Sequence, residues 1–89
     1  MRIEWTDRAL TDAAAVYAYI AADNEAAAWR VIGDVRKNVD KLEMFPDLGR
    51  LSRNPRFREL VIDNYIIVYA VRRDRIVIVR IWHGAQKRS

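Results

Sequence analysis

Eighty-nine residues, 52% of them hydrophobic and 31% charged, fit one domain: too few for two hydrophobic cores and too apolar for a disordered chain. The absence of cysteine excludes disulfides, thiol nucleophiles and thiolate metal sites together. The net charge of +4 conceals a split, since residues 1–49 carry six Lys/Arg against nine Asp/Glu and residues 50–89 carry ten against three. A half so basic predicts a polyanionic partner or an acidic protein segment, set against the plain alternative of a solvated basic face.

The chain opens MRIEWTDRAL, acidic by its fourth residue and without an apolar signal region. Its longest nearly uncharged stretch, alanine-rich around Asp12, is short for a membrane span. The expectation is a soluble cytoplasmic protein with no membrane contact.

Arg2 to Trp5 alternate in polarity and predict a strand. Thr6 follows as a helix N-cap, with Asp7 well placed in the first turn. In the helix that begins there, Leu10, Ala13, Tyr17 and Ile20 recur at three- and four-residue steps and predict the buried stripe, with Asp12 on the opposite side. Asp23 and Asn24 end this helix and cap the next. From Glu25 to Met44 the positions Ala28, Ile32, Val35, Val39 and Leu42 form a lengthwise seam, so the two helices should pair as an antiparallel hairpin. Gly33 inside the second helix costs about 1 kcal/mol relative to alanine, and a close helix crossing would explain it. Pro46 stops the helix, and Phe45 to Pro55 reads as a loop.

The period then changes. Arg56 to Ile62, Tyr65 to Val71 and Ile76 to Trp82 are β-branched and aromatic, and Asp63-Asn64 and Arg72 to Arg75 are short connections, so three sequential antiparallel strands are expected. The central strand is apolar on both parities, which predicts cover on both faces. Its second face is a candidate interface, because exposed Tyr65, Ile66 or Tyr69 would form an adhesive patch. The fold class is α+β, a single domain spanning residues 1–89.

Among residues able to carry chemistry, His83 is the only histidine and stands at the end of the last strand, suited to proton transfer near neutral pH or to a structural place. No ligand set for a metal and no phosphate-cradling or nucleophile-elbow motif is present, so neither a metal nor a cofactor is expected. Arg80 interrupts IVIVRIW. By alternation Ile76, Ile78, Arg80 and Trp82 share one face and Val77, Val79 and Ile81 the other, so Arg80 stands beside Trp82 if the second set meets the helices. An anion site there and an arginine stem lying over apolar sheet are equally open readings.

The succession IEWTDRALTDAAAVYAYIAADN, a second helix ending in LEMFPDLGR, then RELVIDNYIIVYAV and IVIVRIWHGAQ resembles the RelE/ParE superfamily of bacterial toxins from type II toxin–antitoxin modules, and most closely its ParE-like branch of plasmid stabilisation proteins. The resemblance covers nearly the whole chain. It implies an N-terminal strand, an antiparallel helix hairpin and antiparallel strands in one sheet, with the first strand beside the last. It also implies a cognate antitoxin of the ParD or RelB kind carrying an acidic segment, and contact with DNA only through that antitoxin.

RelE-like relatives resemble ribosome-dependent mRNA endoribonucleases, with a basic residue after the central-strand tyrosine, an arginine after the last strand and a tyrosine near the C-terminus. Here Ile66 and Gln86 stand at the first two positions and no tyrosine follows Tyr69. A nuclease site would have to use His83 with Arg80 and Arg58, and His83 and Arg80 differ in strand parity, so they converge only if the strand ends or bulges before His83. The ParE-like branch instead resembles poisons of DNA gyrase that act by binding. The favoured expectation is therefore a non-enzymatic gyrase inhibitor, with Arg80, Trp82, Tyr65, Tyr69 and Ile66 as antitoxin- or target-binding residues. A ribonuclease, or a degenerate regulatory protein that only binds antitoxin, is the alternative.

Overall fold

A computed structural model describes residues 1–84. Strand β1 (Arg2–Trp5) leads into helix α1 (Asp7–Ala21) and helix α2 (Glu25–Asp40), followed by a 3-10 turn at Lys41–Glu43. The strands β2 (Arg50–Leu51), β3 (Arg58–Ile62), β4 (Tyr65–Val71) and β5 (Arg75–His83) complete one sheet in the order β1-β5-β4-β3-β2. The β2–β3–β4–β5 series is antiparallel, and β1 joins β5 in parallel. β2 lies inside the stretch expected to be loop: Arg50 and Leu51 pair with Glu59 and Arg58 over only two residues, too short a run for alternation to reveal.

Thr6 joins sheet to helix. Its N–H donates to the Ile78 carbonyl at 3.0 Å, its hydroxyl donates to the Val79 carbonyl at 3.2 Å, and the same oxygen accepts from the Ala9 N–H at 3.0 Å. The N-cap therefore fixes where α1 leaves the sheet as well as satisfying a free amide. Asn24 caps α2 in the same way, accepting from Ala27 N–H at 3.0 Å. Tyr17 meets Trp29 edge to face, with ring centroids 5.0 Å apart, across the helix hairpin.

The helices cover one face of the sheet. The core between them contains Ala9, Val35, Val39 and Leu42 from the helical side and Ile62, Tyr65, Ile67, Tyr69, Ile76, Ile78 and Ile81 from the sheet. The second-helix seam is buried at Ala28, Val35, Val39 and Leu42, as its spacing requires. The first-helix stripe is rotated from the expected one: Ala9, Ala13, Val16 and Ile20 pack inward, Leu10 is exposed, and Asp12 points at the sheet rather than away from it. Alanine-rich sequence offers several stripes of similar polarity, and the packing of α1 on β5 selects among them. Gly33 also differs from expectation, since a Cβ there would meet nothing within 4 Å and no close crossing requires the glycine.

Strand β5 carries a bulge. Tyr69 pairs with Ile78 and Val68 with Arg80, which leaves Val79 unmatched and reverses the parity of everything after it. Ile76 and Ile78 thus enter the core before the bulge and Ile81 enters it after. Neither alternating set read from the sequence survives intact. No helix among the described residues is long and apolar enough to cross a membrane.

Candidate functional site

Beyond Ile78, strand β5 has no β1 neighbour, because β1 ends at Trp5. Helix α1 takes over that edge through Asp12. One carboxylate oxygen of Asp12 accepts from the Arg80 Nε at 2.7 Å and from the Ile81 N–H at 2.9 Å, and the other accepts from Arg8 Nε at 3.4 Å. The Asp12 and Arg80 side chains are 11% and 24% exposed. Burial raises the Asp12 pKa, but the hydrogen bonds from Arg80 and Ile81, the Arg80 charge and the Arg8 contact outweigh it, and the pKa lies below the ordinary 3.8. The guanidinium carbon of Arg80 sits 3.9 Å from the centroid of the Trp82 ring. Arg80 is therefore held from two sides, by a carboxylate at Nε and by an indole under its plane. This orients the remaining guanidinium nitrogens for a bidentate carboxylate or phosphate.

Arg80 pairs with Val68 and Trp82 with Ile66, so both stand on the sheet face away from the helices. The bulge produces the placement that simple alternation anticipated only on a condition. The other expected binding residues divide. Tyr65 and Tyr69 belong to the helix-side core and are buried, and Ile66, on the Trp82 face, is buried at 8% exposure. None of the three forms the exposed patch considered from the sequence. Burial raises the pKa values of both tyrosines and keeps their phenols neutral.

The residues a nuclease would need do not converge. Arg58 pairs with Tyr69 and thus lies on the helix side, opposite to Arg80. Its guanidinium donates to the carbonyls of Gly49 at 2.7 Å and Asp47 at 3.4 Å. His83 pairs with Tyr65 and packs edge to face on its ring at 5.4 Å, again on the helix side. Strand β5 runs through His83 and its bulge precedes Arg80, so the parity difference between Arg80 and His83 stands. Gln86 lies outside the described residues.

Sequence reasoning missed Asp12, which the helical wheel assigned to solvent. It also missed the hydroxyl of Tyr69, which accepts from the Gly49 N–H and donates to the Pro46 carbonyl, both at 2.8 Å. An acidic residue within an otherwise uncharged helical run was the available signal for the first; nothing local marked the second.

The exposed cations of the second half gather at one end of the sheet, where the β2–β3 connection adjoins the β4–β5 turn because Arg58 pairs with Tyr69, and the others are engaged within the chain. Arg50 pairs with Glu59 at 3.3 Å, Arg75 with Glu4 at 2.7 Å and Asp74 at 3.2 Å, and Arg58 and Arg80 are engaged as above. Arg53 and Arg56 are exposed in the β2–β3 connection and Arg72 and Arg73 at the β4–β5 turn, while Lys87 and Arg88 lie outside the described residues.

A strand, a helix hairpin and a mixed five-stranded sheet in this order define a RelE/ParE-type toxin fold. Residues 3–88 match the sequence profile described as the ParE toxin of type II toxin–antitoxin systems, parDE, and the chain belongs to that family. It is 40% identical over 88 residues to the candidate toxin Y4kP of Sinorhizobium fredii, covering 97% of this chain and 91% of that one. It is 34% identical over 85 residues to Toxin RelE2 of Caulobacter vibrioides, covering 96% and 97%. Among solved structures, one described as the chromosomal ParDE toxin–antitoxin system of P. aeruginosa superposes with a TM-score of 0.82 at 26% identity over 93% of this chain and 95% of that one. The solution structure of HP0894 from Helicobacter pylori shares the fold, with a TM-score of 0.60 at 19% identity over 96% of both chains.

Proposed function

We propose that this toxin arrests growth by binding a protein target, DNA gyrase, rather than by cutting RNA, and that its antitoxin neutralises it by placing an acidic segment on Arg80 and Trp82. The observation that carries the first part is the division of Arg58, Arg80 and His83 between the two faces of the sheet. General acid–base cleavage of a ribose-phosphate bond needs its cation and proton carrier around one phosphate. Arg58, moreover, is already committed to two backbone carbonyls. The second part is supported by the orientation of Arg80: held at Nε by Asp12 and stacked on Trp82, it presents a cation whose rotamer entropy is already lost.

The purified chain is expected to inhibit gyrase-mediated supercoiling and to leave ribosome-bound mRNA intact. Codon-dependent mRNA cleavage abolished by His83→Ala would overturn the gyrase reading in favour of the ribonuclease one, which the similarity to a relative named RelE2 favours. Activity in neither assay would favour a protein that only binds antitoxin.

A further inference from the structure

The loop between α2 and β2 is held more firmly than its own burial explains. The Tyr69 hydroxyl bridges Gly49 N–H and the Pro46 carbonyl, and Arg58 grips the carbonyls of Gly49 and Asp47. Gly49 is packed so closely that a Cβ would lie 2.7 Å from the Glu59 carbonyl oxygen and 2.8 Å from the Tyr69 ring. A buried phenol, an arginine and a glycine thus immobilise a segment whose large side chains face water. Met44 is 80% exposed, Phe45 56%, Leu48 49% and Leu51 60%. Apolar side chains displayed within eight residues on a fixed backbone suit a docking surface, since the backbone entropy of the segment is lost at folding and only the side chains are ordered at binding.

We infer that this loop is the surface by which the toxin grips its protein target, and that the partner presents an apolar patch flanked by carboxylates. The charge around the loop decides the chemistry. Exposed Arg53 and Arg56 just beyond β2, with Arg72 and Arg73 at the same end of the sheet, outnumber the exposed Glu43 and Asp47 of the loop, so an acidic rim would be attracted to that end. The location separates the target from the antitoxin. The loop hangs from the helix side of the sheet at its β2 edge, and Arg80 with Trp82 occupies the other face on β5, three strands away.

The inference rests on the protein-target reading, and the test keeps the two apart. The double variant Phe45→Ser/Leu48→Ser changes two exposed side chains and should retain the wild-type melting temperature. In the full chain it is expected to lose growth inhibition and gyrase inhibition at least ~10-fold, as for removed interface anchors, while its affinity for the purified antitoxin changes less than about threefold. Arg53→Glu/Arg56→Glu, which disturbs no packed side chain, serves if the first variant unfolds; it should give the same loss, with a salt dependence the serine variant lacks.

Undiminished gyrase inhibition by a folded variant overturns the inference and leaves gyrase standing. Loss of toxicity in cells by the variant, with a wild type that never inhibits gyrase, supports the surface and discards gyrase as the target. Loss of antitoxin affinity with toxicity retained assigns the loop to the antitoxin and overturns the inference. Concentration-dependent dimerisation abolished by the variant assigns it to a second copy, with the same consequence. A wild type without effect on cells or on gyrase removes both readings.

Discussion

Asp12→Ala should be the most damaging substitution of an acidic side chain on α1. It leaves the Arg80 Nε and the Ile81 N–H without their acceptor in a place where the Asp12 carboxylate is 11% exposed. A buried amide left unsatisfied costs roughly 1–3 kcal/mol, and a hydrogen bond to a charged group about 1.5–3 kcal/mol. Arg80 recovers part of the second by turning to water, so a loss of about 2–4 kcal/mol is expected. In a domain of this size that lowers the melting temperature by on the order of 10–25 °C. Asp12→Asn keeps an acceptor and loses the charge, so it should cost less, roughly 1–2 kcal/mol.

The pH dependence has a fixed sign. Because the Asp12 pKa is lower in the folded state than in the unfolded one, the unfolded chain takes up the proton first as pH falls. The stabilisation is complete above the unfolded value of about 4, declines below it, and is gone once the pH has passed the folded value. Urea unfolding of the wild type and Asp12→Asn across that range should therefore show a gap that is full near neutrality and closes in acid. A gap near neutrality below about 0.5 kcal/mol, or one that persists unchanged in acid, would refute the edge-clamp account.

Gly33→Ala should stabilise the protein by about 1 kcal/mol in thermal melts, because the added methyl meets open space on an exposed helix position. An unchanged or lower melting temperature would point to a contact the fold does not show. Tyr69→Phe removes one hydroxyl from two backbone partners in a fully buried site and should cost roughly 2–4 kcal/mol by denaturant unfolding. Gly49→Ala should be worse than an ordinary core overpacking of ~1–3 kcal/mol, since the new methyl meets backbone that cannot yield; a melting temperature near wild type would contradict it. Arg80→Glu should weaken antitoxin binding by calorimetry, and the wild-type affinity should fall as salt rises; equal affinities would move that interface elsewhere.

The hydrophobic period fixed the kind and order of the larger elements. Thr6 and Asn24 cap where their side chains predict, the 4, 3, 4, 3 spacing from Ala28 to Leu42 marks the buried face of α2, and the β-branched runs pair in series. These are local properties, set within a few residues along the chain, and the order of residues suffices to express them. The family motifs were legible for the same reason, as order and spacing.

What only the tertiary structure decided depends on residues far apart in sequence. The face that α1 buries was chosen by β5, some 68 residues away, through Asp12, Arg80 and Ile81. The Val79 bulge, invisible to strict alternation, turned Arg80 and Trp82 to one face and kept Ile81 in the core. The basic second half likewise predicted a polyanion, but Arg50 and Arg75 are paired with carboxylates of the chain itself and Arg80 is held by one through its Nε, so the exposed cations are left at one end of the sheet. Charge is additive along a sequence; the field that a partner meets depends on which charges the fold has already neutralised.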